Sequence, residues 1–271
     1  MHPRHLFPNI VKGQVSRASR INTDDIQFEQ ELDNLTGYFE QRGYGKNLVR
    51  NAIDESVWGL VNNAGISKWG EVEWNTVHDY KRVAEINLFG SIRTTLAFIP
   101  LIKKSKGRMV FMSSTNAIIT PQCNSIYCVT KRGLEAFCDS LRIEMKKFGV
   151  IVCVVRPGDF TSATKILKKQ TAEDIWSTFS EDVKQVYSKE YVDTYIKSID
   201  MRLKRQSRDP DEVVSTVVKT LMISNPNAVW TVASVAETSL AFICSYFPYS
   251  VLVPLFYSLG GEKERRVLIN Q

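Results

Sequence analysis

GRMVFMSS (Gly107–Ser114), SIYCVTKRGLEAFCDSLRIEMKKF (Ser125–Phe148) and VIVCVVRPG (Val150–Gly158) decide the fold class. The first and third are short apolar runs, and the β-branched residues of the third read as a strand buried on both faces. The middle stretch is too long for a strand and has the apolar spacing of a helix. Strand, long helix and strand in succession make a βαβ unit of a parallel sheet. Working outward, WGLVNNAG (Trp58–Gly65) reads as an earlier strand, followed by a helical stretch over about 76–105. On the other side, AVWTVA (Ala228–Ala233) reads as a last strand. Asp209, Pro210, Asp211 and Glu212 announce the helix before it, which should run to about Ser224: Asp as N-cap, Pro at the first helical position, acids in the first turn. Residues 159–206 read as a helical insertion of mixed charge, a lid. The expected architecture is α/β, a Rossmann-type doubly wound parallel sheet with that lid.

In such sheets ligands bind beyond the carboxyl ends of the strands. Three strand ends carry polar or glycine residues: Asn62 to Gly65, Ser113 with Ser114, and Pro157 to Asp159. They should meet in one crevice. The 271 residues need not be two domains. An irregular, basic segment over 1–44 and a single domain over 45–271 are expected. A helix from Gly45 to Val57 would place Leu48, Val49, Ala52 and Ile53 on one face. The net charge of +6 is too small and too scattered to argue for nucleic acid. With only His2, His5 and His78, a His-ligated metal site or a Ser-His-Asp triad is hard to build, so no metal is expected. Five cysteines without C-x-x-C spacing read as small buried hydrophobes of a reducing compartment.

The base of an enzyme site must then be something else. Tyr127 and Lys131 are four residues apart on the long helix and share a face. A tyrosine hydroxyl has an ordinary pKa of about 10, and poising it near 7 requires roughly 4 kcal/mol. One ammonium at about 4 Å provides about that much at an effective dielectric of about 20. Ser114 can hold a substrate oxygen beside Tyr127. The set suits proton transfer coupled to hydride transfer at a carbinol or carbonyl.

Y-x-x-x-K alone is a weak signal. Here it follows N-N-A-G at one strand end, Asn87 within Ile86–Leu88 and Ser-Ser at the next strand end, and it precedes a strand ending Pro-Gly. In that order the chain resembles the short-chain dehydrogenase/reductase family from about Trp58 onward. YCVTKRGLEAFCDSLR (Tyr127–Arg142) is similar to the branch holding retinol, steroid and hydroxybutyrate dehydrogenases; NNAGIS (Asn62–Ser67), GEVEW (Gly70–Trp74) and VAEINLFG (Val83–Gly90) resemble the last. The resemblance implies that Tyr127 is the general acid/base and that Lys131 lowers its pKa and holds the nicotinamide ribose. It implies that Ser114 orients substrate and that Asn87 supports a proton relay. Asn63, Ala64 and Gly65 would flank the adenosine side of the cofactor, and Pro157 and Gly158 the nicotinamide. NAD is the implied cofactor, with NADP as the alternative. A 3-hydroxybutyrate/acetoacetate pair is the implied substrate class, and the alternatives are retinol or steroid, or a catalytically silent paralogue acting as an oligomer partner. Lys68, Lys165, Lys168 and Lys169 are candidates to hold a carboxylate.

The resemblance departs at its start. The family opens with a strand and a T-G-x-x-x-G-x-G turn. The nearest string, TGYFEQRGYG (Thr36–Gly45), has the wrong spacing and no apolar strand before it. A fold lacking its first strand or strands, shortened at the N-terminus, is the expectation. Residues 1–23 contain no acid and four Lys or Arg, which fits a mitochondrial transit segment or a plain basic terminus. A mitochondrial location, with association to the inner membrane, is expected; the endoplasmic reticulum membrane and the cytoplasm are the alternatives. Residues 239–259 carry no charge and are rich in Phe, Tyr, Leu and Val, but Pro248 and Pro254 interrupt them. They read as a peripheral membrane contact rather than a span. The resemblance also implies a homo-oligomer packed through the helices of Asn87 and Tyr127, for which Leu96, Phe98, Ile99, Leu134, Phe137 and Leu141 are the apolar candidates.

Overall fold

The computed structural model describes residues 10–13, 57–164, 166–204 and 208–259. The sheet is a five-stranded parallel one: β1 (Ile10–Gly13), β2 (Gly59–Asn62), β3 (Arg108–Met112), β4 (Ile151–Pro157) and β5 (Val229–Val232), in that spatial order. Three of its strands are those expected around the βαβ unit, and β5 is the expected last strand. The fold is the Rossmann-like α/β one.

β1 corrects the sequence reading. The segment 1–44 was expected to be irregular, yet Ile10–Gly13 pairs in parallel with Gly59–Asn62. Four residues are too short for a period-2 signal, and the pairing that makes them a strand lies some fifty residues away along the chain. The expected helix over 45–57 and the TGYFEQRGYG string fall outside the described residues.

The connections alternate with the strands. After β2 come α1 (Val77–Ala84), a π turn (Glu85–Phe89) and α2 (Gly90–Ser105). The expected single helix over 76–105 is thus interrupted at Asn87. Thr76 caps α1 in a reciprocal box with Asp79. After β3 comes α3 (Ser125–Lys146), which packs with α2 on one face of the sheet. Leu60, Met109, Phe111, Val152 and Val154 meet Phe98, Ile102, Leu134 and Leu141 there. The alternate strand residues Val61, Val110, Met112 and Val155 point to the other face, against α7 (Asp211–Met222) with its Val213, Val217 and Leu221. Period-2 alternation with apolar residues at both parities is why the strands read as continuous apolar runs. Asp209 accepts from the Asp211 N–H, as its sequence position suggested.

The lid is helical: α4 (Ala172–Trp176), α5 (Glu181–Val186) and α6 (Lys189–Lys204). It has a core of its own around Trp74, whose ring lies 5.3 Å from that of Tyr187, 5.8 Å from Tyr191 and 5.1 Å from Tyr195. Tyr191 Oη donates to Glu71 at 2.5 Å and Tyr187 Oη to Glu73 at 3.1 Å, fastening the lid to the segment before α1. The chain ends, among the described residues, in α8 (Val235–Tyr246) and α9 (Tyr249–Leu259). Cys128, Cys138 and Cys153 are buried and unbridged, as small core hydrophobes.

Candidate active site

A cavity of about 540 Å³ opens beyond the carboxyl ends of β2, β3 and β4. Asn63, Gly65, Ser114, Tyr127, Lys131, Pro157 and Gly158 line it together. Seven of the nine residues singled out from the sequence therefore meet at one place. Ala64 and Asn87 are not among the lining residues.

Tyr127 and Lys131 stand in the first turns of α3, both buried. Lys131 Nζ donates to the Met112 carbonyl at the end of β3, 2.7 Å away, and lies 5.4 Å from the Tyr127 ring centroid. Burial pulls the Lys131 pKa down to about 8. Burial also pushes the Tyr127 hydroxyl above its ordinary value, and the hydrogen bond with Ser114 opposes this only in part. Both groups lose hydration in the same pocket, and that loss is the largest influence on each. Ser114 is held at the other end: the Asn116 N–H donates to its Oγ at 3.2 Å, and Oγ lies 3.4 Å from the Pro157 carbonyl.

Asn87 sits in the π turn, fully buried. Its Oδ1 accepts from the Ile66 N–H at 2.8 Å. Its Nδ2 donates to the Ile66 carbonyl at 2.9 Å and to Thr130 Oγ1 at 3.1 Å. This side chain clamps the loop after β2 to α3 rather than facing the cavity. A Cβ added at Gly65 would lie 3.6 Å from both Asn87 Oδ1 and Lys131 Nζ, so the glycine keeps the approach to the lysine open.

Arg202, Asp159 and Glu237 are among the lining residues to which the sequence reading gave no role. Arg202 reaches in from α6, its Nε donating to Asp159 Oδ2 at 2.8 Å and its guanidinium 4.9 Å from the Trp69 ring. Asp159, though partly buried, is held below the usual carboxylate range by Thr161 and Arg202. Glu237 comes from α8, where it caps the helix with Ser234 and accepts from the Asp159 N–H at 2.8 Å. A Cβ on Gly158 would fall 2.6 Å from Glu237 Oε2, so a larger residue there would push that carboxylate off the Asp159 N–H. The S-x-x-E cap at Ser234 is visible in the sequence; its approach to Gly158 is not. Of the lysines considered for a carboxylate, Lys68 pairs with Asp79 at 2.8 Å. Lys168 and Lys169 line a separate, small pocket, and Lys165 falls outside the described residues.

The donor set fits the nicotinamide-ribose end of a dinucleotide. An ammonium kept accessible by a glycine, a tyrosine hydroxyl and a Pro-Gly strand end surround a space open to a ligand. Among the described residues there is no cluster of side chains that could hold a metal ion.

This crevice lies on a Rossmann-like parallel α/β sheet, and residues 23–174 match the family of short chain dehydrogenases. The chain belongs to that family, whose members are in general NAD(P)-dependent oxidoreductases. It is 41% identical over 177 residues to the mitochondrial D-beta-hydroxybutyrate dehydrogenase of Rattus norvegicus, covering 64% of this chain and 52% of that protein. It is 33% identical over 218 residues to retinol dehydrogenase 16 of Mus musculus, covering 78% of this chain and 67% of that protein. The chain thus spans about half the length of the hydroxybutyrate dehydrogenases it matches. A short-chain dehydrogenase from Streptomyces avermitilis superposes with a TM-score of 0.57 at 21% identity, covering 84% of this chain and 74% of that one. A Burkholderia phymatum relative, described in complex with NAD, superposes with 0.54 at 15% identity, covering 72% and 68%. Both show a shared fold.

Proposed function

We propose that this chain carries an NAD-dependent oxidoreductase site for a secondary alcohol and its ketone, of the 3-hydroxybutyrate/acetoacetate type. The observation that carries the reading is the meeting of Ser114, Tyr127 and Lys131 in one cavity at the strand ends. A nicotinamide, when bound, supplies or accepts the hydride. In the reducing direction Tyr127 Oη gives its proton to the carbonyl oxygen as that oxygen gains charge; in the oxidising direction it takes the carbinol proton. Ser114 Oγ holds the same oxygen. Lys131, anchored on the Met112 carbonyl, would present its remaining N–H groups toward a bound ribose, and its ammonium together with an oxidised, cationic nicotinamide would favour the phenolate.

A retinol-type substrate is the second reading, favoured by the longer match to retinol dehydrogenase 16. The charged Arg202 in the cavity wall favours an acid over an apolar chain. A mitochondrial location follows the relative's. A homo-oligomer through the outer faces of α2 and α3 is supported by exposed Phe89, Leu96, Val129 and Ile143. Phe98, Leu134 and Leu141 are withdrawn from that list, because they fill the core beneath the sheet. A peripheral membrane contact through α8 and α9 draws its support from the exposed Phe242, Tyr246, Val251 and Val253.

The test is turnover of 3-hydroxybutyrate with NAD, wild type against Tyr127→Phe. The variant should lose at least about 10²-fold in kcat, the loss expected for a general acid/base. Equal turnover by the two would sink the assignment.

A further inference from the structure

Next to the crevice, Glu135 of α3 is held by both carboxylate oxygens. The Ser113 hydroxyl donates to its Oε1 at 2.6 Å, Arg156 Nε donates to the same oxygen at 2.8 Å, and Arg156 Nη2 donates to Oε2 at 2.5 Å. The Glu135 side chain is 12% exposed, and Ser113 is buried. An ion pair at that depth adds little net stability, because desolvation of both charges offsets their attraction. Each of the three partners adjoins a residue of the candidate site. Ser113 precedes Ser114 just past β3, Arg156 precedes Pro157 in β4, and Glu135 lies one turn beyond Lys131 on α3. Lys131 Nζ donates to the Met112 carbonyl and Ser113 donates to Glu135, so two consecutive residues at the end of β3 hold two consecutive turns of α3.

Residues four apart on a helix share a face, which makes Glu135 and Lys131 neighbours. Burial lowers the Lys131 pKa, and Cys138 and Glu135 act against it. Burial also pushes the Cys138 thiol far above its ordinary value, so it carries no charge where Lys131 titrates. The Tyr127 hydroxyl, raised in the same way, is neutral there too. β4 contributes Arg156, a cation already paired with Glu135, and the π turn contributes the uncharged Asn87. Among the described residues, Glu135 is therefore the anion that acts on Lys131 from the elements packed around it.

We propose that Glu135, clamped by Ser113 and Arg156, is a positioning residue of the site: it keeps the buried Lys131 ammonium charged and fixed on the end of β3, where a nicotinamide ribose and Tyr127 would use it. The use in catalysis rests on the oxidoreductase reading above; the coupling of Glu135 to Lys131 does not.

The experiment follows the titration of Lys131 by NMR in the full chain, isotope-labelled at the lysine ε-carbons, with Lys131→Met identifying the signal. The pH dependence of NADH binding, read by nicotinamide fluorescence, is measured on the same samples. In the wild type the signal should titrate at about pH 8. Glu135→Gln keeps the shape and removes the charge, and it should lower that midpoint by at least about half a pH unit. The alkaline loss of NADH affinity should move down with it. Glu135→Asp keeps the charge and should stay nearer the wild type. Glu135→Gln combined with Arg156→Met leaves no buried guanidinium unpaired, so it carries the test if the single variant unfolds, and it should lower the midpoint as well. A merely structural ion pair would lower the Tm and leave the titration in place, so a midpoint unmoved in the folded variants would overturn the proposal. If NADH binds with a pH dependence that the variants leave unchanged, the positioning role falls and the oxidoreductase reading stands. If the midpoint moves but NADH binds to none of the samples, the coupling stands and the oxidoreductase reading falls.

Discussion

α3 and the C-terminal pair α8–α9 are put to opposite uses. α3 is rich in charge along its 22 residues, yet Ile126, Tyr127, Cys128, Lys131, Leu134, Cys138, Leu141 and Met145 are all buried. α8 and α9 carry a single charge, that of Glu237, yet only Ala241 and Leu252 of their described side chains are buried hydrophobics. Phe242, Tyr246, Phe247, Val251 and Val253 are exposed. Apolar content therefore does not decide burial here; the phase of the apolar positions against a covering surface does. α3 presents one stripe to the sheet and turns its first turn into the crevice. α8–α9 are apolar around most of their circumference with a surface on one side alone. Neither is long and apolar enough to cross a membrane, and the same holds for every helix among the described residues.

The contrast can be broken most forcefully at Leu134, which is 1% exposed between α3 and the sheet. Leu134→Ala should cost about 2–5 kcal/mol, read as a lower denaturant midpoint at unchanged slope. A loss below about 1 kcal/mol would mean that α3 packs far more loosely than its burial implies. Lys131 sharpens the comparison next, since it is the buried cation of α3. Its folded pKa of about 8 lies below the ordinary 10.5. Between those values the unfolded chain holds a proton that the folded chain lacks, so this group's contribution grows as pH rises and is lost as pH falls through 8. The Tm of wild type relative to Lys131→Met should therefore shift in favour of wild type from pH 7.5 to 9.5. Tyr127, raised above its ordinary 10.0, acts in the opposite sense only at higher pH. A gap independent of pH would remove the low value from Lys131.

The smallest stability effect belongs to α8. Phe242 is 61% exposed, so Phe242→Ser should alter folding stability by no more than about 0.5 kcal/mol. The same substitution, combined with Tyr246→Ser, should reduce co-flotation of the chain with anionic liposomes. Should the wild type and the double variant float to the same extent, the membrane assignment of this face fails.

The crevice was legible because its parts are local signals: a polar strand end, two serines after an apolar run, a tyrosine and a lysine one turn apart. Asn63, Gly65, Ser114, Tyr127, Lys131, Pro157 and Gly158 follow from such strings. Arg202 and Glu237 do not. Each sits on a helix whose return to the strand ends depends on packing, around Trp74 for α6 and through the Ser234 cap for α8. Phe98, Leu134 and Leu141 were misread as surface because α2 and α3 hold apolar residues on more than one face, and spacing does not tell which face meets the sheet. β1 was missed for a related reason: a four-residue strand is defined by its partner.

The π turn at Glu85–Phe89 closes with the Gly90 N–H on the Glu85 carbonyl, one residue wider than an α-helical turn. Wound as regular α-helix with every residue kept, the same stretch would turn everything beyond it by about 100° relative to α1. Ser91, Thr94, Thr95 and Phe98 would swing away from the sheet, and Asn87 away from Ile66. For this stretch the number of residues is a stricter requirement than their identity. Exposed Phe89 can tolerate exchange, whereas a further inserted residue would turn the apolar stripe of α2 off the sheet.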